Sequence, residues 1–324
     1  QTDKMDKFTY SIFKFSTENQ LIQNNDQVLI SLSGGIDSMS LYLLLNDFKE
    51  KIDIKLHLVH FHHGLRDESD DEVDFLKELA EKHNTPITVI KTNQFKNKKG
   101  MQNLARNWRY ENLERIHSEL KFDKIATAHQ LDDLIETQIW RILRGGSLFT
   151  LNAIQLHRPP YIRPLLQISK AELKNYLENR NQTWCEDASN FEDNYTRNKI
   201  RNQIIPLLKE TSGGNFEEKF LALNEDAVDL KENFNQIIAP KTYESNELSF
   251  IAIQALNPIF ARELIYRFLL HHDQTEITRA NINDIYKMVL QNLGNWKIQL
   301  KRNNVVYGKS KKITIITKLT RGTL

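Results

Sequence analysis

The chain has 324 residues, of which 40% are hydrophobic and 27% are charged, a composition typical of soluble globular proteins. This length is enough for two domains. No apolar run approaches the roughly 20 residues that cross a bilayer and no signal peptide stands at the start, so we expect a cytoplasmic protein with no membrane partner. The net charge of +2 is too small to identify a nucleic-acid-binding protein. The single cysteine, Cys185, excludes an intrachain disulfide and a Cys-x-x-Cys pair.

The first part of the chain alternates between strand-like and helix-like patterns. Strands are predicted at about 27–32, 54–60, 87–90 and 124–128, and helices at about 37–48, from 69 onward, at 101–120 and at 133–143. This alternation predicts an α/β fold with a doubly wound parallel sheet of strand order 3-2-1-4. In such a sheet the ligand crevice lies at the switch point, between the loops that follow strands 1 and 4.

The second part of the chain is predicted to be mainly helical. Residues 158–166 are punctuated by proline and predicted to be extended, and Ser169-x-x-Glu172 is a capping-box pattern that starts a helix. The glycine-containing turn at 211–214 predicts a domain boundary, which gives domains 1–213 and 214–324. The smaller domain is predicted to have helices at 216–238 and 258–271. It is predicted to end in short strands at 296–300, 305–307 and 313–317, joined at Asn303-Asn304 and Gly308-Lys309.

The most informative motif is Ser33-Gly34-Gly35-Ile36-Asp37-Ser38, between an apolar strand and a helix. This layout is typical of a phosphate-binding loop, because backbone amides approach phosphate oxygens only where no Cβ intrudes. Neither a Walker lysine nor the third glycine of a dinucleotide fingerprint follows. Asp37 would repel phosphate unless Mg²⁺ bridges the two. The alternative is an ordinary turn at a helix N-terminus.

A second motif, from His129 to Glu136, follows strand 4 at the predicted crevice. His129 and Asp132 flank the strand end, and Asp133 and Glu136 are three residues apart and share a helix face. Acidic side chains beside a phosphate loop are unfavourable unless a metal or a cationic ligand joins them. The alternative is an acidic first helical turn that interacts favourably with the helix dipole.

A third motif, His60-Phe61-His62-His63-Gly64-Leu65-Arg66, follows strand 2. A zinc site is disfavoured here, because no cysteine or other fourth ligand residue has the matching spacing. We interpret the segment as a turn that presents a histidine and an arginine at the carboxyl edge of the sheet.

Together these segments resemble the tRNA(Ile)-lysidine synthase family of PP-loop ATP pyrophosphatases. The resemblance runs from about Asp26 to Leu208. Besides the three motifs it includes Glu68-Ser69, 103–110, Arg141, Arg144-Gly145, 163–166, Glu186-Asp187, Ser189-Asn190 and 195–201. Gln130 departs from the family, which often has a histidine there. Beyond Gly214 the resemblance is weak, and the C-terminal domain is assigned to tRNA binding by its position in the chain only.

The resemblance implies a ligase that modifies an anticodon. ATP would adenylate the C2 carbonyl oxygen of the wobble cytidine in the CAU anticodon of tRNA(Ile). The ε-amine of free L-lysine would then attack C2 to form lysidine, with AMP and pyrophosphate as products. The implied partners are ATP, Mg²⁺, L-lysine and the tRNA.

The resemblance also implies roles for individual residues. ATP would be bound by Ser33, Gly34, Gly35, Ile36, Asp37, Ser38, His60 and His63. Asp37 would hold Mg²⁺ with Asp132 or Asp133. The implied catalytic residues are Asp37, His129, Asp133, Glu136, Arg106 and Arg109. His129 with either arginine would stabilise the α-phosphate or the activated base, and Glu136 would bind or deprotonate lysine. The tRNA phosphates would be contacted by Arg197, Arg201, Lys301, Arg302, Lys311 and Lys312.

Several alternatives remain open. A salt-bridged helix face would also explain Arg197 and Arg201, and a solubilising strand edge would explain the C-terminal lysines. Homodimer formation is the alternative task of the C-terminal domain. Among PP-loop enzymes, a tRNA thiolase would usually need paired cysteines. A guanylate or NAD synthetase would need an amidotransferase partner or a different downstream pattern. A non-catalytic nucleotide- or tRNA-binding module is disfavoured by the acidic cluster opposite the loop.

Overall fold

The structure, a computed structural model, describes residues 5–62, 69–92, 101–185, 195–272, 277–300 and 304–317. The chain divides into two compact units. The first contains Gln1–Ile139 and Ala153–Glu218, and the second contains Trp140–Asn152 and Lys219–Leu324. The boundary predicted at residue 213 lies near the division between Glu218 and Lys219, whereas no sequence pattern predicted that Trp140–Asn152 would belong to the second unit. None of the described helices is both long and apolar enough to cross a membrane.

The first unit is built on a six-stranded sheet of order β3-β2-β1-β4-β6-β5. Its strands are β1 (Gln27–Ser31), β2 (Lys55–His62), β3 (Ile87–Lys91), β4 (Lys124–Ala126), β5 (His157–Arg158) and β6 (Tyr161–Ile162). All adjacent pairs are parallel except β5 with β6. The predicted order 3-2-1-4 is confirmed, and the proline-punctuated segment adds two short strands beside β4. The loops after β1 and β4 therefore begin at the same edge of the sheet.

The helices of the first unit are α1 (Lys7–Glu18), α2 (Ile36–Phe48), α3 (Ser69–Lys82), α4 (Met101–Leu120), α5 (Leu131–Leu143), α6 (Lys170–Asn179), α7 (Tyr195–Lys199) and α8 (Ile205–Thr211). The last turn of α5, from Trp140 onward, belongs to the second unit. A π-helical turn at Ile200–Ile204 joins α7 to α8. Helix α6 begins with the predicted capping box of Ser169 and Glu172.

Helix α2 fixes the position of the glycine-rich loop. It is apolar on nearly every side, and its residues 38–45 are all buried between the sheet and neighbouring helices. A helix that is apolar all round is stable only when it is surrounded by protein. The loop between β1 and α2 is consequently anchored at both ends in the core of the unit.

The second unit contains α9 (Phe216–Ile237), α10 (Phe250–Gln254), α11 (Pro258–His271) and α12 (Arg279–Leu290). Its antiparallel sheet has the order β7-β10-β9-β8, with β7 (Leu248–Ser249), β8 (Asn295–Gln299), β9 (Asn304–Lys309) and β10 (Lys312–Thr317). The predicted helical region that ends in short strands is confirmed, and its core is centred on Phe234, Phe260 and Phe268.

The predicted turn at Gly308-Lys309 is wrong. Both residues lie inside β9, and the turn is formed by Ser310 and Lys311, which have positive φ angles of 52° and 60°. Gly308 is needed for close packing, because a Cβ on it would lie 2.0 Å from the Trp296 ring. A glycine that admits an indole was thus mistaken for a turn glycine.

Candidate active site

A cavity of about 670 Å³ lies at the carboxyl ends of β1 and β4, where the strand order predicted a crevice. Both sequence motifs that border the switch point contribute to its walls. It is lined by Ser31, Ser33, Gly35, Ile36, Asp37, Ser38, Arg109, Tyr110, Leu113, Thr127, Ala128, His129, Gln130, Asp132, Asp133, Lys170, Trp184, Cys185 and Arg201. Gly34, His60, Arg106, Glu136 and Arg197 were predicted as site residues and are not part of this lining.

The loop after β1 is closed by the Ser38 hydroxyl. Ser38 Oγ donates to the carbonyl oxygen of Gly35 at 3.1 Å and accepts the Ser33 N–H at 3.1 Å. Ser33 Oγ lies 3.0 Å from the same hydroxyl. Gly35 is the N-cap of α2 and provides no side-chain cap, so the first amides of this helix remain available for an anion.

Gly34 is required by conformation and by packing. Its φ of +87° is unfavourable for other residues, and a Cβ there would lie 3.1 Å from Cys185 Sγ. The Cys185 N–H donates to the Gly34 carbonyl oxygen at 2.9 Å, which ties the segment before residue 186 to the loop. Sequence reasoning used Cys185 only to exclude an intrachain disulfide and a pair of cysteines. No local signal indicated that Cys185 would contact Gly34, because the two residues are 151 positions apart along the chain.

Two carboxylates of the cavity lining, Asp37 in the loop itself and Asp133 at the start of α5, lie in unfavourable surroundings. Asp37 Oδ1 is buried and has no hydrogen-bond partner among the described residues. Burial raises the pKa of Asp37, an effect that Lys170 opposes and the charge of Asp132 reinforces. Burial and the nearby charge of Asp37 raise the pKa of Asp133 to about 6. Such shifts are common where a site is built for a charged ligand.

The donor set fits Mg²⁺ bound together with phosphates. In the described ranges no three His, Cys, Asp or Glu side chains are grouped closely enough to hold a metal by themselves. Mg²⁺ in nucleotide sites is usually held by one or two carboxylates and by substrate oxygens. Asp37 and Asp133 could supply the two carboxylates. Asp132 is already engaged, because its Oδ2 accepts the Lys170 N–H at 2.8 Å.

His129 is held in the neutral form. Burial and then the positive charges of Arg163, Arg106 and Arg109 lower its pKa to about 3. Its Nδ1 lies 3.1 Å from Thr127 Oγ1. A neutral imidazole adds no charge to the site, but one of its ring nitrogens can donate a hydrogen bond and the other can accept one. The cationic contribution on this side comes from the arginines.

Glu136 is buried, with 6% of its surface exposed, and binds two arginines that follow much later in the chain. Arg201 donates from Nε and Nη2 to Glu136 Oε2 at 3.1 and 2.7 Å, and Arg197 Nε lies 3.6 Å from Oε1. The π-helical turn contains Arg201, which also lines the cavity. The contact of both arginines with tRNA stays a prediction, as does the role of Glu136 toward lysine.

The other predicted residues lie in different places. His60 is buried and its Nδ1 donates to the Leu32 carbonyl oxygen at 2.9 Å, so it supports the start of the loop from below the cavity surface. Lys311 and Lys312 belong to the second unit, where Lys312 pairs with Glu247. His63, Lys301 and Arg302 lie outside the described residues.

Comparison with known proteins identifies the family. The PP-loop domain family matches residues 5–208. The tRNA(Ile)-lysidine synthase of Petrotoga mobilis is 32% identical over 264 residues, which are 80% of this chain and 83% of that protein. The synthase of Thermosipho africanus is 30% identical over 87% of this chain and 67% of its own length. Against other synthases the chain spans about half their length, 47% in two cases.

A solved structure supports the fold. The U34-tRNA thiolase NcsA from Methanococcus maripaludis, solved with its [4Fe-4S] cluster, superposes with a TM-score of 0.59 over 69% of this chain and 78% of that chain. Its sequence identity of 19% makes this a likeness of fold alone. With the PP-loop domain matched over residues 5–208 and a synthase 32% identical over most of both chains, this protein belongs to the tRNA(Ile)-lysidine synthase family of PP-loop enzymes.

Proposed function

We propose that the protein joins L-lysine to C2 of the wobble cytidine in the CAU anticodon of tRNA(Ile), using ATP and releasing AMP and pyrophosphate. The observation that carries this proposal is the cavity itself, in which the N-terminus of α2, with no side-chain cap, lies beside two half-buried carboxylates with raised pKa values. An anion site and a cation site in one cavity fit a metal-bound triphosphate and a cationic second substrate.

The first step is the adenylation of the cytidine. The C2 carbonyl oxygen attacks the α-phosphate of ATP, the bond to the β-phosphate breaks, and pyrophosphate leaves. This step is needed because the carbonyl oxygen is otherwise a poor leaving group. The loop from Ser33 to Ser38 would hold the leaving pyrophosphate through its backbone amides. Arg109 and the neutral His129 would bind the α-phosphate oxygens, with Arg106 adding longer-range positive charge.

Mg²⁺ would supply charge neutralisation for the triphosphate, held by Asp37 and Asp133. Without a cation these two carboxylates repel each other and the incoming phosphates. The buried Oδ1 of Asp37, which has no hydrogen-bond partner among the described residues, is the atom best suited to bind Mg²⁺.

The second step is the attack of lysine. The ε-amine is normally protonated, so it must be bound as a cation and lose a proton before it attacks C2. The new C–N bond then replaces the C2–O bond, and AMP leaves with the oxygen. Glu136 already binds the guanidinium of Arg201, so its surroundings accommodate a cation. We assign Glu136 to bind the lysine ammonium, which would displace Arg201, and to accept the proton that the amine loses before it attacks C2.

The second domain, residues 214–324, is assigned to tRNA contact. The turn between β9 and β10 exposes Lys311 beside Lys312 at the end of a short hairpin. Lysines at an exposed turn can bind phosphates without base specificity. This assignment leaves the adenylation site in the first unit.

Two assays on purified enzyme test the two steps separately. Asp37→Asn is expected to abolish both tRNA-dependent pyrophosphate release and lysine incorporation. Glu136→Gln is expected to retain pyrophosphate release and lose lysine incorporation. Glu119→Gln is the matched control, because this carboxylate is exposed and pairs only with Arg115 among the residues described. Normal lysine incorporation in both site variants, or equal activity on tRNA(Ile) and elongator methionine tRNA, would contradict the proposal.

A further inference from the structure

We propose that Trp140 and Arg144 form a stacking platform for an unpaired nucleotide of the RNA substrate. This inference rests on the proposed function, since it takes tRNA as the substrate, and it assigns a contact to a segment with no predicted tRNA-binding residue. Both residues belong to Trp140–Asn152, the part of the chain that leaves the first unit and folds with the second.

The two side chains are stacked one over the other. Arg144 Cζ lies over the Trp140 ring, 4.2 Å from its centroid. The residues are four apart at the end of α5, and the Arg144 N–H lies 3.2 Å from the Trp140 carbonyl oxygen, so the helical backbone holds the pair in register. Arg144 is exposed, and it has no carboxylate partner in the described ranges. Aromatic rings and guanidinium planes are the two groups on which splayed RNA bases stack.

The turn after the platform is tightly built. Gly145 has a φ of +72°, and a Cβ on Gly146 would lie 2.5 Å from Thr150 Oγ1 and 2.9 Å from the Arg141 carbonyl oxygen. The Arg141 guanidinium donates to the carbonyl oxygens of Thr150 and Asn152. These contacts fix the turn before any ligand arrives, which lowers the entropy that binding must overcome.

The turn is also anchored to the core of the second unit. Phe149 is buried, and its ring centroid lies 5.8 Å from that of Phe234 and 6.1 Å from that of Phe260. Arg141 and Phe149 thus hold the segment from inside, while Arg144 remains outside. A platform on such a support can present its planar surface in one orientation.

The surface of the segment fits an RNA better than a protein. Ile142, Leu143 and Leu148 are exposed to 50%, 60% and 55%. Residues 140–152 include two arginines and no acidic residue. The apolar side chains suit bases or another protein equally. Arg144 has no carboxylate partner among the described residues, and its positive charge decides between them, because a phosphate backbone supplies a counterion whereas an apolar protein interface does not.

The test is the affinity for a 17-nucleotide anticodon stem-loop with the CAU sequence, measured by fluorescence anisotropy without turnover. Trp140→Ala and Arg144→Ala are each expected to weaken binding at least about 5-fold, because a stacking side chain is lost. Trp140→Phe should retain affinity within about 2-fold, and Arg144→Lys should fall between wild type and alanine, because charge remains without the plane. Tyr10→Ala is the matched control, since Tyr10 is an exposed aromatic residue of α1 in the first unit.

Each outcome decides the proposal. Unchanged affinity in both Trp140→Ala and Arg144→Ala would overturn it, even if the wild-type enzyme forms lysidine. Loss of affinity in the variants would sustain it even if the wild-type enzyme incorporated no lysine, a result that would refute only the proposed function. Arg144 is exposed, so its variants keep the test valid if Trp140→Ala does not fold. A concentration-dependent dimer that Trp140→Ala abolishes, at unchanged RNA affinity, would assign the surface to a second copy of the chain and overturn the proposal.

Discussion

Asp133 offers the sharpest test of the electrostatics of the cavity. Its pKa is raised from the ordinary 3.8 to about 6, first by burial and then by the neighbouring charge of Asp37. Above pH 6 the folded protein therefore contains a carboxylate that is less stable there than in the unfolded chain. Asp133→Asn resembles the protonated form, so it should stabilise the protein although it removes a proposed functional group.

The magnitude follows from the shift in pKa. A difference of about two units at roughly 1.36 kcal/mol per unit gives a gain of about 3 kcal/mol above pH 7. Between 3.8 and about 6 the folded state binds more protons than the unfolded state, so wild-type stability falls as the pH rises through this range. The gain from asparagine should accordingly shrink to about half at pH 5.

Urea unfolding followed by circular dichroism at pH 8 and pH 5 measures this gain. At pH 8 the midpoint of Asp133→Asn should rise by about 1 M relative to wild type. Asp132→Asn is the matched control on the same helical turn. It should not stabilise the protein, because Asp132 Oδ2 already accepts a hydrogen bond from Lys170 at 2.8 Å. Equal gains at both pH values, or a loss at pH 8, would refute the electrostatic reasoning.

Three further predictions concern the ion pair, the loop and the second domain. Arg201→Ala should destabilise the protein by about 1–2 kcal/mol, because it removes the hydrogen bonds to Glu136 Oε2 and leaves the buried carboxylate with Arg197, 3.6 Å from Oε1. Adding Glu136→Gln should restore part of that loss in urea unfolding, and additive losses would contradict this prediction. Gly34→Ala should weaken ATP binding measured by calorimetry and lower the free energy of unfolding by about 1–2 kcal/mol. Adding Cys185→Ala should recover part of the lost stability. Wild-type affinity and stability in Gly34→Ala would show that the loop tolerates a Cβ. Lys311→Gln should reduce the slope of log Kd for tRNA against log salt by about 1, and an unchanged slope would exclude a phosphate contact.

The part of the site that local patterns specify could be predicted from the sequence. The glycine-rich loop lies between an apolar strand and a uniformly apolar helix, and both boundaries were predicted within about one residue. The strand order followed from right-handed crossovers between parallel strands. That order alone brought the loop at Ser33 and the helix start at Asp133 to the same crevice.

The parts that depend on distant segments could not be predicted. Glu136 and Arg201 are 65 residues apart, and only the fold shows that they are partners. Cys185 and Gly34 are further apart still, and a lone cysteine carries no pattern that would indicate a loop contact. Periodicity also gave no indication that Trp140–Asn152 would leave the unit to which the start of α5 belongs. In each case the missing information is tertiary packing, which a window of neighbouring residues does not contain.

Two acids with raised pKa values show why the cavity is interpreted as a site and the core of the second unit is not. Burial raises the pKa of Glu263 as well as that of Asp37. Glu263, however, accepts a hydrogen bond from Arg267 at 2.9 Å, and Arg267 lies over the Phe234 ring at 4.1 Å. That charge is compensated within the fold. Asp37 has a buried oxygen with no described partner, beside a second carboxylate whose pKa is also raised. An acid whose burial the fold leaves uncompensated is the pattern expected at a site for a cationic ligand, and this contrast with Glu263 is the reason for assigning Mg²⁺ to Asp37 in the proposed function.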